Sequence, residues 1–194
     1  MATYKSIAYD QFLSAGGSMV LLQKQEASSS ATISFTSGID DTYKEYVFKF
    51  INIHPSVDES RFTFNFSTDS GSNYNVTKTT TAFRAYHDEG DESTALTYHA
   101  SADLAQSTDF QTIGFGIGFD NDQSLSGFMS VFNPSSTTYV KHFMSNSNLY
   151  EDGNFSIQQF IGGYGNTTSA VDAVQFKMES GNIDAGTIKM YGIN

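Results

Sequence analysis

The chain has 194 residues, a formal net charge of −11 from 10 basic and 21 acidic side chains, and neither cysteine nor tryptophan. Without thiols there can be no disulfide framework, thiol nucleophile or cysteine zinc site. With this acidity and only two arginines, nucleic acid is excluded as an expected partner, because phosphate binding calls for clustered cations. Hydrophobic residues at 39% and aromatics at 14% are too many for a disordered chain, and the length suits one all-β domain with a core of its own.

Residues 1–17 carry neither a strand nor a helix pattern and end in Ala15-Gly16-Gly17, a natural hinge. They lack the continuous apolar stretch of a signal peptide, so an N-terminal arm is expected rather than an export signal. The longest apolar run nearby, residues 19–22, is far too short to span a bilayer. From there a period of two dominates. In Lys44–Ile53, Tyr46, Phe48 and Phe50 share one face, with Val47, Ile51, Ile53 and Lys49 on the other. In RFTFNFS, residues 61–67, Phe62, Phe64 and Phe66 alternate with Thr63 and Asn65, the pattern of a half-buried strand. Strands are predicted near 18–25, 31–36, 44–53, 61–67, 79–87, 113–119, 125–132, 137–145, 156–164, 171–178 and 186–193, with Gly-, Asn-, Asp- and Ser-rich turns between them. In the run IGFGIGF, Gly114, Gly116 and Gly118 would leave one strand face almost bare, which suits a bent strand or a close backbone approach. Residues 88–112 open on the acidic run DEGDE and read as a long polar loop. No segment keeps a helical period of about 3.6 residues. The expected fold is therefore all-β: a jelly-roll-like antiparallel β-sandwich spanning 18–194, preceded by the extended arm 1–17.

The chemistry-bearing residues favour no reaction. The acidic clusters at Asp40-Asp41, Asp58-Glu59, 88–92, Asp120-Asn121-Asp122 and Glu151-Asp152 fall at turns, without the spacing of a calcium loop, and read as solvated charge. No carboxylate lies inside an apolar strand where its pKa would be raised for glycoside chemistry. His54, His87, His99 and His142 are too far apart in sequence for a paired metal motif and read as structural. Serine-nucleophile, phosphate-loop and zinc-protease motifs are absent. The four Asn-x-Ser/Thr triplets, at Asn65, Asn75, Asn154 and Asn166, are at the level chance gives in a chain with 26 Ser and 19 Thr. No catalytic residue, cofactor or metal is expected. What remains is a set of tyrosines at strand ends and loops, Tyr74, Tyr98, Tyr139, Tyr150 and Tyr164, able to form a carbohydrate-binding or subunit-binding surface.

Four strings carry a resemblance: EYVFKFINIHP (45–55), GSNYNVTKTTTAFRAYH (71–87), FNPSSTTYVKHF (132–143) and TTSAVDAVQFKMESGNIDAGTIKMYGI (167–193). Together they resemble small virion proteins of tailed bacteriophages, common in marine and cyanobacterial phages, and the last is similar to the closing strands of jelly-roll modules in phage fibres. The resemblance spans roughly residues 18–193. It implies a non-enzymatic structural component of the particle, such as a capsid decoration or a tail or fibre accessory module. Such a protein would be assembled in the host bacterial cytoplasm and located in the virion. Its expected partners are other virion proteins and copies of itself, a trimer being favoured, with no membrane partner. The arm would dock the module or link neighbouring copies through Ile7, Tyr9, Phe12 and Leu13. An adhesin module binding host-surface glycan is the alternative.

Overall fold

The structure is a computed structural model that describes residues 19–194. The arm 1–17 and its anchors Ile7, Tyr9, Phe12 and Leu13 lie outside the described residues. Twelve strands account for the fold: β1 (Met19–Ser30), β2 (Ile33–Phe35), β3 (Glu45–Pro55), β4 (Ser60–Ser67), β5 (Lys78–Asp88), β6 (Thr94–Tyr98), β7 (Gln111–Ile117), β8 (Leu125–Phe132), β9 (Lys141–Glu151), β10 (Phe155–Gly165), β11 (Ala173–Met178) and β12 (Ile183–Ile193). There is no helix among the described residues, and so none long and apolar enough to cross a membrane.

All pairings are antiparallel. A large sheet runs β1-β12-β3-β8-β9-β10-β5-β6 and a small one runs β7-β4-β11-β2, joined by a single bridge between Ile117 and Glu151. The two sheets face each other as a jelly-roll-like sandwich, nearly closed along one seam. Strand alternation explains why. Phe62, Phe64 and Phe66 of β4, Phe176 of β11 and Phe35 of β2 point from the small sheet at Tyr46, Phe48 and Phe50 of β3 and Phe143 of β9, and every one of these rings is buried. Phe176 is the hub, with the rings of Phe48 and Phe50 both centred 5.3 Å away and Phe62 stacked at 5.8 Å. Such edge-on and offset contacts are what aromatic quadrupoles favour.

Four expectations are corrected. Ile53 belongs to the core, with the Phe face rather than the Val47 face, because the β3–β8 register slips between Phe50 and Ile53 where Asn52 takes a φ of 50°. That bulge moves one residue to the other face. The presumed loop 88–112 contains β6. Its acidic opening is a tight hairpin turn, in which Asp88 Oδ1 accepts the N–H groups of Glu92 (3.0 Å) and Ser93 (2.7 Å). The strand predicted at 137–145 starts later and runs on to Glu151. Ser136 Oγ accepts the N–H groups of Thr138 and Tyr139 and holds that stretch as a turn, while the polar run Asn146-Ser147-Asn148 is paired on both sides, by β8 and β10. The glycine-rich strand ends at Ile117 rather than Phe119, and Gly116, at φ 76°, supplies the bend that L side chains resist.

Candidate functional site

The register across the large sheet assembles a surface from strands that are distant in sequence. One outward row reads Tyr98 (β6), Phe83 (β5), Phe160 (β10), Asn146 (β9), Phe128 (β8), Lys49 (β3), Lys189 (β12) and Lys24 (β1). Each step across a sheet is about 4.8 Å, so the row is about 34 Å long. Its first half is aromatic. Phe83 is stacked on Phe160 with ring centroids 4.8 Å apart and planes 13° from parallel. Tyr98 and Phe128 stand exposed on either side, and Leu96 (71% exposed) and Met144 (61% exposed) lie in the adjoining rows. The second half carries three of the chain's eight lysines, an unusual concentration in a protein of net charge −11. Lys49 Nζ lies 5.8 Å from the centre of the Tyr191 ring, and Lys24 pairs with Glu26 at 2.5 Å.

Two depressions flank the aromatic ridge. A cleft of about 590 Å³ lies among Ala85, His87, Leu96, Asn148, Ser156 and Gln158. A trough of about 400 Å³ lies among Thr79, Thr81, His142, Met144, Gly162 and Tyr164, where Gly162 contributes no side chain. An exposed apolar band of this kind marks an interaction surface.

Three of the five candidate tyrosines belong to this face: Tyr98 on β6, Tyr150 on β9 and Tyr164 on β10. The Tyr98 hydroxyl donates to Asp103, whose carboxylate raises the phenol's pKa. The Tyr150 hydroxyl lies between Glu89 Oε1 (3.1 Å) and Asn154 Oδ1 (3.0 Å), and Glu89 likewise raises it. Tyr164 packs edge-on to His142 at 6.1 Å. Tyr139, 70% exposed, sits beside a separate hollow with Phe132, Ser136 and Thr168. Tyr74 does not join the face: it is half-buried in the β4–β5 connection, against the Gly71 turn.

The four histidines have separate surroundings. His54 Nε2 meets the carbonyls of Phe119 and Asp120. His87 pairs with Asp91 at 3.1 Å. His99 is buried with its ring 4.4 Å from that of Phe115, and burial, then Arg84 and Arg61, hold its pKa below the usual imidazole value. His142 stands on the outer face of β9.

One feature of the acidic turns is absent from the sequence reading. Glu59 meets Glu151 and Asp152, all three within 4.8 Å of one another through their carboxylate oxygens, the geometry a divalent cation would need. Glu151 is also the carboxylate whose pKa is raised, first by burial at the end of β9 and then by Asp152 and Glu59. Glu151 closes β9 at a turn rather than lying inside an apolar strand, so its raised pKa comes from burial at the strand's end. The cluster contains no histidine and is otherwise exposed.

No family model and no curated protein matches the chain. Among solved structures, one described as "Crystal Structure of A. japonicus CB05" is similar over 93% of this chain and 27% of that one, at 16% identity and a TM-score of 0.29. The chain thus spans about a quarter of that structure's length, and a likeness so slight carries no argument about fold or function.

Proposed function

We propose that the protein is a non-enzymatic structural module of a virion that docks a neighbouring particle protein through the outer face of its large sheet. The observation that carries the docking is the transverse row in which Tyr98, Phe83, Phe160 and Phe128 run into Lys49, Lys189 and Lys24. A partner that fits it presents an apolar strip beside carboxylates. Aromatic anchors supply the affinity and the lysine column sets the orientation. The four strings that resemble phage virion proteins support the setting. The test is to replace Phe83 and Phe160 together by Ser and to compare how much of the variant and of the wild type enters purified particles. A fall in occupancy with an unchanged far-UV circular dichroism spectrum supports the reading.

The second reading is an adhesin module that binds a host-surface glycan on the same face. It is favoured by the amides of Asn146, Asn148 and Gln158 beside the Phe83–Phe160 shelf. A sugar ring can stack on such a shelf while its hydroxyls bond the amides. In that case the double variant would enter particles normally and lose binding to the host polysaccharide.

A further inference from the structure

Strands β4 and β5 belong to different sheets, yet one polar pair ties them together inside the protein. Asn65 lies in β4 and Lys78 opens β5, and neither has any exposed surface. Lys78 Nζ donates to Asn65 Oδ1 at 2.5 Å and to the Val76 carbonyl at 2.8 Å. The Asn65 amide is held on both sides. Its Oδ1 also accepts the Phe66 N–H at 2.8 Å, and its Nδ2 donates to the carbonyls of Tyr74 (2.8 Å) and Thr108 (2.9 Å). Carbonyl oxygens only accept, so the amide cannot be turned the other way.

The surroundings of Lys78 suit a neutral amine. An ammonium needs three acceptors, whereas Lys78 Nζ has two, which match the two N–H groups of the free base and leave its lone pair over. Burial pushes its pKa down to about 7, against the opposing charge of Asp109. Asp109 follows Thr108, whose carbonyl holds the amide nitrogen, and its side chain accepts a hydrogen bond from Ser107 Oγ at 2.8 Å. A desolvated amine beside an immobilised carboxamide is a nucleophile beside an electrophile. The Phe66 N–H is already aimed at the oxygen on which negative charge would develop.

We propose that Lys78 and Asn65 join in an intramolecular isopeptide bond. The Lys78 Nζ lone pair adds to Asn65 Cγ, and the charge gathers on Oδ1 against the Phe66 N–H. A proton passes from Nζ to Nδ2, and the Cγ–Nδ2 bond breaks to release ammonia. One C–N bond forms and one breaks, with no change of oxidation state and no co-reactant. The product links the two sheets covalently around residues 65–78, a staple in a chain that has no cysteine to make one. It goes beyond the docking proposal and does not depend on it.

Lys141 is an internal comparison. It is equally buried, but its Nζ meets the carbonyls of Tyr139 (2.7 Å) and Thr167 (3.2 Å) and no side-chain amide, so it stays a free amine.

The experiment is intact-mass spectrometry of the purified full chain, denatured, followed by peptide mapping. The expected result is a mass lower than the sequence value by one ammonia, with residues 65 and 78 in one branched peptide. Lys78 should then resist acylation in denaturant while Lys141 reacts. Lys78→Met and Asn65→Ala should each abolish the loss of ammonia. A folded wild-type chain at the full sequence mass would overturn the proposal. So would an ammonia loss that survives Lys78→Met or maps to another asparagine, as succinimide formation would give. Because the wild type alone decides the matter, a variant that fails to fold does not obscure it.

Discussion

Replacing Phe176 by alanine tests the placement of the core against the outer face. Phe176 has no exposed surface and meets the rings of Phe35, Phe48, Phe50, Phe62 and Phe64 at centroid distances of 6.2, 5.3, 5.3, 5.8 and 6.4 Å. A buried Phe→Ala change costs about 3–5 kcal/mol from lost transfer energy and the cavity left behind. Five aromatic neighbours at once place this site near the top of that range, since each pair adds about 0.5–1.5 kcal/mol beyond area. A domain of ordinary stability, about 5–15 kcal/mol, would be brought close to its threshold. Phe83 makes the contrast. It too stacks on a ring, Phe160 at 4.8 Å, but it is 42% exposed on the outer face, so Phe83→Ala should cost no more than about 1 kcal/mol. The assay is urea unfolding followed by far-UV circular dichroism, since the chain has no tryptophan to report. If Phe176→Ala does not fold, Phe176→Leu should still fold, with a loss of about 1–2 kcal/mol. A Phe176→Ala cost under about 2 kcal/mol, or a Phe83→Ala cost equal to it, would refute the division of faces.

Three further outcomes are expected. His99 has its pKa lowered in the folded state, so below about 6.5 the unfolded chain takes up more protons and stability falls with pH. His99→Phe should flatten the fall of the thermal midpoint as pH drops below about 6.5, and an unchanged slope would contradict the assignment. Glu151 has its pKa raised, so its ionised form costs stability at neutral pH and that cost disappears as the carboxyl is protonated in acid. Glu151→Gln should therefore raise the melting temperature at pH near 7 and leave it unchanged in acid, where an equal gain at both would point to a role other than charge. Gly186 has a φ of 127°, and a Cβ there would lie 2.7 Å from the Asn52 carbonyl oxygen and 2.9 Å from Ile53 Cα. Gly186→Ala should lower the unfolding free energy by about 1–3 kcal/mol, read as a lower denaturant midpoint with the m-value unchanged.

The all-β class and most strands are legible in the sequence because alternation is a local property. Phe62, Phe64 and Phe66 declare a buried face whatever their strand pairs with. β6 was hidden because it is short and follows an acidic turn whose stability comes from Asp88 capping backbone N–H groups, a contact that composition does not express. The outer face was hidden for a different reason. Its row joins residues 24, 49, 83, 98, 128, 146, 160 and 189, and only the register between non-consecutive strands brings them into line. Tyr98, Tyr150 and Tyr164 are placed on this face, whereas the exposed Phe83 and Phe128 and the half-buried Phe160 cannot be told from core phenylalanines by type. Asn65 was the most misleading residue. Its place between Phe64 and Phe66 reads as a solvent-facing position, but the segments around Tyr74 and Thr108 cover it and Lys78 reaches it there.

The most direct measurement of the central claim is a competition between wild-type protein and the Phe83→Ser/Phe160→Ser double variant for incorporation into particles, read as the ratio of the two in purified virions. Both changes lie on the outer face, away from the Phe176 cluster, so the variant should fold with a near-normal unfolding midpoint. The account predicts a several-fold excess of wild type in the particle. Equal incorporation by a folded variant would contradict it.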